Sequence, residues 1–171
     1  SEIKTLLDYI RLARDFHEPM NDRIVTLFMP LANKPNRMLS RVILGRLIDE
    51  TRSMRLSLDR ALHNVLHVNA FSLTRWQRDK LQELWELLTR LHGGITSGED
   101  AGDLLSDLVA DTGYLDAFQN YYGDGEHADG KIMAVENFLE YVHHTRLTPL
   151  SLLDLIERLD TTQGKPVEEQ V

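Results

Sequence analysis

The sequence contains no cysteine among its 171 residues. Disulfide bonds, thiolate metal ligands and a cysteine nucleophile are therefore excluded. It also has no apolar run near the roughly 20 residues that cross a bilayer, and no basic-then-apolar signal peptide opens it. We therefore expect a cytoplasmic protein with no membrane partner.

Motifs for nucleotide binding and catalysis are absent as well. The glycines between residues 123 and 130 follow no apolar strand and precede no Lys-Ser or Lys-Thr pair, as a phosphate-binding loop requires. Aspartate and glutamate are numerous but scattered, so no pattern pairs two of them for acid–base chemistry. We predict no catalytic residues, no cofactor site and no metal site in this chain.

Basic residues are scarce in the second part of the sequence. Residues 1–95 hold 15 Lys+Arg and 11 Asp+Glu, whereas residues 96–171 hold 4 and 16, so net charges of +4 and -12 make up the total of -8. This division predicts one face for a polyanion and another turned away from it. An uneven surface charge without a ligand is the alternative interpretation.

Apolar residues recur at helical spacing through most of the chain, and no stretch alternates as a β-strand does. The pattern predicts an all-α protein of about eight helices joined by short loops. We expect one compact domain over residues 1–171, with a possible internal seam at 93–100 and a loose polar tail from about residue 161.

Helix starts are predicted from capping residues. Asn21 and Ser57 precede apolar helical patterns, and Thr148 is followed by proline, so each is expected to be an N-cap. The segment Thr74–Gln77 has the form of a capping box. Pro35 is placed in the first turn of a helix whose apolar side is Met38, Leu39, Val42, Ile43 and Leu47.

Helix ends are predicted from glycines. Gly93 and Gly94 are expected to end a leucine-rich helix that contains Trp85 in its core stripe. The segment 123–130, with three glycines, is predicted to be the most flexible loop of the chain.

A basic segment lies between Met29 and Arg60 and is centred on a loop that leads into a helix. Polar and basic side chains cluster there: Asn33, Lys34, Asn36, Arg37, Ser40 and Arg41. Backbone N–H groups and the dipole at a helix N-terminus favour phosphate, and such side chains add further contacts. These six residues are the predicted DNA-binding candidates, and an ordinary solvated helix face is the alternative.

Two other groups of residues admit a functional interpretation. His63 and His67 have the i, i+4 spacing that can place two imidazoles on one metal, but no third ligand is evident. We interpret them as a pair on a helix surface. Trp76 can stack on a base or pack in the core, and the sequence does not decide between these.

The order of several segments resembles the 2B subdomain of UvrD/PcrA/Rep-type superfamily 1 DNA helicases. Residues 2–12 (EIKTLLDYIRL) resemble the segment that opens this subdomain, and residues 22–27 (DRIVTL) match the run that follows it. Residues 30–41 occupy the place of the family's Pro-Lys-Arg-Gly-Ile-Gly-like turn. Residues 111–115 (DTGYL) and 135–139 (VENFL) resemble later elements, and residues 150–159 resemble the closing leucine-rich helix.

The resemblance implies an all-α accessory domain that is not catalytic by itself. It implies contact with duplex or junction DNA and with the motor domains of a parent helicase, and a role in regulating unwinding. It also implies that the parent protein is an ATP-dependent enzyme, active with ATP and Mg²⁺ in processes such as DNA repair. The chain departs from the family at the Gly-Ile-Gly turn, where residues 36–39 (NRML) stand, so contact relies on Lys34, Arg37 and Arg41.

The main alternative belongs to another class. A helical protein–protein interaction module without DNA contact would have the same composition and helical pattern, and a regulatory protein partner is compatible with both functions. Dispersed basic residues beside an exposed apolar groove would favour the interaction module.

Overall fold

The computed structural model describes residues 1–68, 72–123 and 125–163, and these residues form an all-α structure. The predicted fold class is confirmed, with nine helices in the described residues against about eight expected. They are α1 (Glu2–Arg14), α2 (Asp22–Leu31), α3 (Arg41–Ser53), α4 (Leu58–Val68), α5 (Arg75–Ser97), α6 (Ala101–Thr112), α7 (Tyr114–Tyr122), α8 (Glu126–Thr145) and α9 (Pro149–Gln163). None of the helices in the described ranges has the length and apolar content that a membrane crossing requires.

The chain divides into two compact units. Unit A consists of Ser1–Ile10 and Gly93–Val171, and unit B consists of Arg11–His92. The boundaries fall within α1 and within α5, and the second boundary coincides with the start of the seam expected at 93–100. The assignment of residues 1–171 to a single domain stays a prediction, and most of the expected polar tail lies outside the described residues.

Unit A is built around α6, which packs against α7, α8 and α9. In α6, Leu104, Leu105 and Leu108 recur at helical spacing, so they lie on one side of the helix, and all three are buried. The turn before α9 is joined to the start of α6 by the Ala101 N–H, which donates to the carbonyl oxygen of Leu147 at 2.8 Å. These contacts bring the N-terminal end of α6 beside the last turn of α8.

The first turn of α1 is held to the rest of unit A by two polar contacts. The Tyr114 hydroxyl donates to the backbone carbonyl of Glu2 at 3.2 Å, and Lys131 Nζ lies 2.6 Å from Glu2 Oε1. Burial alone would raise the pKa of Glu2, but the hydrogen bond and positive charge of Lys131, with a backbone hydrogen bond, outweigh it, so the pKa lies below its usual value.

A depressed carboxyl pKa makes this contact sensitive to acid. Its stabilising contribution is present above the unfolded-state pKa, near 4.5, and is lost as the pH falls through the lower folded-state pKa. We expect Glu2→Gln to lower the free energy of unfolding by about 1 kcal/mol at neutral pH, and the difference to vanish in acid. Urea unfolding across this pH range checks it, with Glu136→Gln on an exposed part of α8 as the control. A difference from wild type that persists unchanged in acid would contradict the assignment.

The described residues of unit B combine an apolar core with one buried carboxylate. Phe16 in the turn after α1, Phe28 of α2 and Leu62 of α4 are fully buried, as is typical of core residues. Asp15 is also buried, and its carboxylate lies 3.3 Å from Arg14 Nε and 3.1 Å from Arg23 Nη2. Two guanidinium groups offset the cost of removing this charge from water.

The predicted capping residues are confirmed. Asn21 and Ser57 accept hydrogen bonds from N–H groups three residues later, at 2.9 and 3.2 Å. The capping box at Thr74 is reciprocal, with both of its hydrogen bonds to Gln77 formed at 3.0 and 3.1 Å. Thr148 precedes α9, which begins with proline. These caps are local, so a short sequence pattern is sufficient to identify them.

Three predicted helix boundaries are wrong. The helix expected to begin near Pro35 begins at Arg41, because side chains in residues 33–40 bond to the loop backbone and Ser40 is the N-cap. The helix expected to end at Gly93 continues to Ser97 and is followed by Gly98 at φ +70°. The loop expected over 123–130 is shorter, since α8 begins at Glu126.

The predicted apolar side of α3 is also partly wrong. Val42 and Met38 are 79% and 66% exposed, whereas Leu44 and Ile48 are buried. The helix begins six residues later than expected, so Met38 lies outside it, and the buried residues of α3 are Leu44, Leu47, Ile48 and Thr51.

Candidate nucleic-acid interface

The loop between α2 and α3 contains five of the six predicted DNA-binding residues, and the sixth, Arg41, is the first residue of α3. Asn33 closes this loop. The side-chain amide of Asn33 donates to the Leu39 carbonyl at 2.7 Å, and its Oδ1 accepts from the Leu39 N–H at 3.0 Å. Oδ1 also accepts from the Arg37 N–H at 3.3 Å. Asparagine side chains commonly replace backbone partners in this way. Asn33 therefore shapes the loop, and its amide is engaged within the protein.

Asn36 stabilises the turn at the tip of the loop. Its Oδ1 accepts from the Met38 N–H at 2.8 Å, and Met38 adopts a left-handed backbone conformation with φ +54°. This conformation is unfavourable for a residue with a side chain, and local hydrogen bonds from asparagine commonly support it. The loop thus contains a left-handed position without the glycine that usually occupies it.

Arg37 is buried, with an exposed fraction of 5%. Its Nη1 donates to the carbonyl oxygens of Leu31 and Ala32, at 3.0 and 3.1 Å. These carbonyls belong to the C-terminal end of α2, where the last acceptors lack intrahelical donors and the helix dipole is negative. Arg37 was predicted from its charge to contact phosphate, but in the structure its guanidinium caps the end of α2.

Lys34 and Arg41 are exposed, and they lie three residues before and four residues after Arg37 in the chain. Arg41 is the first residue of α3, whose first turn contains no acidic side chain. Ser40 is the N-cap, and its Oγ accepts from the Ile43 N–H at 3.1 Å. A cation at a helix N-terminus is repelled by the positive end of the helix dipole. An anion bound there would interact favourably with both the cation and the dipole. Of the six candidates, Lys34 and Arg41 are therefore the two cations with exposed side chains.

The histidine pair lies on one face of α4. The rings of His63 and His67 stack with centroids 4.0 Å apart, and His67 Nδ1 lies 2.8 Å from the His63 carbonyl oxygen. One nitrogen of His67 is thereby engaged with the backbone. The pair is consistent with the predicted surface arrangement on this helix.

The two tryptophans occupy different environments. Trp85 is partly buried, and its indole N–H donates to Asp59 Oδ1 at 2.8 Å. Trp76 is 44% exposed, and Lys80 Nζ lies 5.3 Å from its ring centroid. Trp76 is therefore a surface side chain in unit B, with a cation over its ring.

One group of possible ligands was not identified from the sequence. Asp100, Asp103 and His143 meet in unit A, although His143 lies 40 residues beyond Asp103 in the sequence. The Asp-x-x-Asp spacing is an ordinary feature of a helix start, and no local signal connects it to a histidine on another helix.

Comparison with protein-family models finds no match for this sequence. Comparisons with curated proteins and with solved structures likewise find no match.

Proposed function

We propose that this chain is a 2B-like accessory domain of a UvrD/Rep-type ATP-dependent DNA helicase. It contacts duplex or junction DNA, regulates unwinding by the parent motor and performs no catalysis by itself. The order of the segments 2–12, 22–27, 111–115 and 135–139 supports the proposal, as does the all-α fold. ATP, Mg²⁺, the motor domains and the cytoplasmic setting of DNA repair belong to the proposed parent protein.

The observation that supports DNA contact best is the distribution of charge between the units. Unit B holds 14 Lys+Arg and 9 Asp+Glu, a net charge of +5, whereas unit A holds 5 and 18, a net charge of -13. The difference in net charge between the two compact units is therefore larger than the difference between residues 1–95 and residues 96–171. Association with a polyanion is favoured at unit B and opposed at unit A.

Within unit B, the proposed contacts are made by side chains. Lys34 and Arg41 would meet backbone phosphates, while Asn33, Asn36 and Arg37 hold the loop that presents them. Such contacts do not depend on base sequence and weaken as salt rises.

Fluorescence anisotropy with a labelled DNA hairpin junction tests the proposal. We expect the double variant Lys34→Glu/Arg41→Glu to bind roughly tenfold or more weakly, and the slope of log affinity against log salt to decrease by about 2. Both side chains are exposed, so the variant is expected to fold.

The matched control is Arg146→Glu/Arg158→Glu, which changes the net charge equally but at exposed positions of unit A. We expect it to change the affinity much less. Equal losses in the two double variants would mean that only total charge matters, and would refute a site at the loop.

A second candidate function is a helical interaction module without DNA contact. Met38, Val42 and Met54 favour it, since all three are apolar side chains of unit B with exposed fractions above 60%. Large exposed apolar side chains are typical of protein-binding surfaces when they form a contiguous patch. Absence of salt-dependent DNA binding by the wild-type protein would favour this function over the first.

A further inference from the structure

A histidine and two aspartates converge at the N-terminal end of α6. Asp100 is the N-cap of this helix, Asp103 lies in its first turn, and His143 lies in the last turn of α8. One possible ligand atom from each residue lies within 4.8 Å of the others. We propose that these three side chains form a binding site for a divalent transition-metal ion, with Zn²⁺ as the expected occupant.

The separations suit a single ion. Zinc lies about 2.0–2.2 Å from nitrogen and oxygen ligands, so two ligand atoms on one ion are about 3–4 Å apart. His143 Nδ1 lies 3.8 Å from Asp103 Oδ1. Asp100 Oδ1 accepts the capping hydrogen bond from the Asp103 N–H at 3.1 Å, which leaves Oδ2 of that carboxylate for a metal. The three ligand atoms lie within 4.8 Å of one another, so they would have to move slightly closer together to share one ion.

Ser106 orients the imidazole for this role. Its Oγ lies 3.0 Å from His143 Nε2. With the proton on Nε2 donated to this hydroxyl, Nδ1 is left unprotonated, and Nδ1 is the nitrogen that lies 3.8 Å from Asp103 Oδ1. A hydrogen bond at the far nitrogen is the usual means by which proteins hold a metal-binding histidine in one tautomer.

Gly102 allows the ring to lie against α6. A Cβ atom at this position would be 2.7 Å from His143 Cγ and 2.9 Å from Cε1, and closer still to Nδ1. Any larger residue would displace the imidazole from the two aspartates. The glycine is buried between the two carboxylate-bearing residues, so the approach of His143 depends on it.

The charges and donor types favour a transition metal. Two carboxylates and a neutral imidazole carry a charge of -2, which balances a divalent cation and offsets the positive end of the α6 dipole. The net charge of -13 on unit A raises the local concentration of cations. Imidazole suits Zn²⁺ better than Mg²⁺ or Ca²⁺, which prefer oxygen ligands alone. This inference is independent of the proposed function.

Isothermal titration calorimetry with zinc chloride, on protein without a histidine tag, tests the proposal. We expect one Zn²⁺ per chain at this site and a loss of affinity of roughly tenfold or more in His143→Gln and in Asp103→Asn. Asp100→Asn retains a good N-cap residue and removes only the carboxylate charge. A lower Zn²⁺ affinity in this variant therefore reports on metal binding and not on the loss of the cap. Gly102→Ala changes no ligand and is expected to weaken binding through displacement of the ring.

Two controls separate this site from general binding. His144→Gln alters the neighbouring histidine, whose side chain is 79% exposed, and Gly93→Ala alters a helical glycine with nothing within 4 Å of the added Cβ. Both are expected to bind Zn²⁺ as the wild type does. Absence of zinc binding, equal affinity in His143→Gln and His144→Gln, or Mg²⁺ binding as tight as that of Zn²⁺ would each overturn the proposal.

Discussion

Arg37→Met is expected to lower the free energy of unfolding by about 2–3 kcal/mol. The change removes the guanidinium that donates to the carbonyls of Leu31 and Ala32, at 3.0 and 3.1 Å. Hydrogen bonds from a charged donor contribute more than neutral ones, and here they also stabilise the negative end of the α2 dipole. Urea unfolding followed by circular dichroism measures the loss.

Arg41→Met is the matched control, because it removes the same charge four residues away from an exposed side chain. Its free energy of unfolding is expected to stay within about 0.5 kcal/mol of wild type. The pair separates two roles for the basic loop: we expect Arg37 to determine stability and Arg41 to determine DNA affinity. Wild-type stability in Arg37→Met, together with weaker DNA binding, would reverse this assignment.

Gly94→Ala and Gly93→Ala are expected to change stability in opposite directions, although both glycines lie inside α5. At Gly94 an added Cβ would lie 2.7 Å from both Leu104 Cδ1 and Glu99 Oε2. Leu104 is buried, so relieving this overlap costs about 1–3 kcal/mol. At Gly93 the Cβ meets nothing within 4 Å, and alanine gains about 0.5–1 kcal/mol of helix stability.

The two alanine variants are therefore expected to differ by about 2 kcal/mol in the free energy of unfolding, measured by denaturant titration. They share the same substitution, helix and neighbouring sequence, so helix propensity cancels in the comparison. A stability gain in both would show that Leu104 moves away without cost, and that close packing at Gly94 is not the reason for glycine there.

Local sequence patterns were sufficient for the helical class and for most helix starts. Asn21, Ser57 and the Thr74–Gln77 capping box each act within three residues, so their hydrogen bonds follow from the sequence alone. The helix ends were harder to predict. Gly94 is indistinguishable in sequence from a terminating glycine, and the reason for it is the nearby Leu104 side chain.

The sequence by itself determined that this is a helical chain whose positive charge lies mostly in its first 95 residues. Tertiary structure decided the environment of those charges, because Arg37 is buried and caps the C-terminal end of α2, whereas Arg41 is exposed. It also decided that His143 meets Asp100 and Asp103. Hydrogen-bond partners within one helical turn can be predicted from spacing, whereas burial and contacts across 40 residues depend on how whole helices pack.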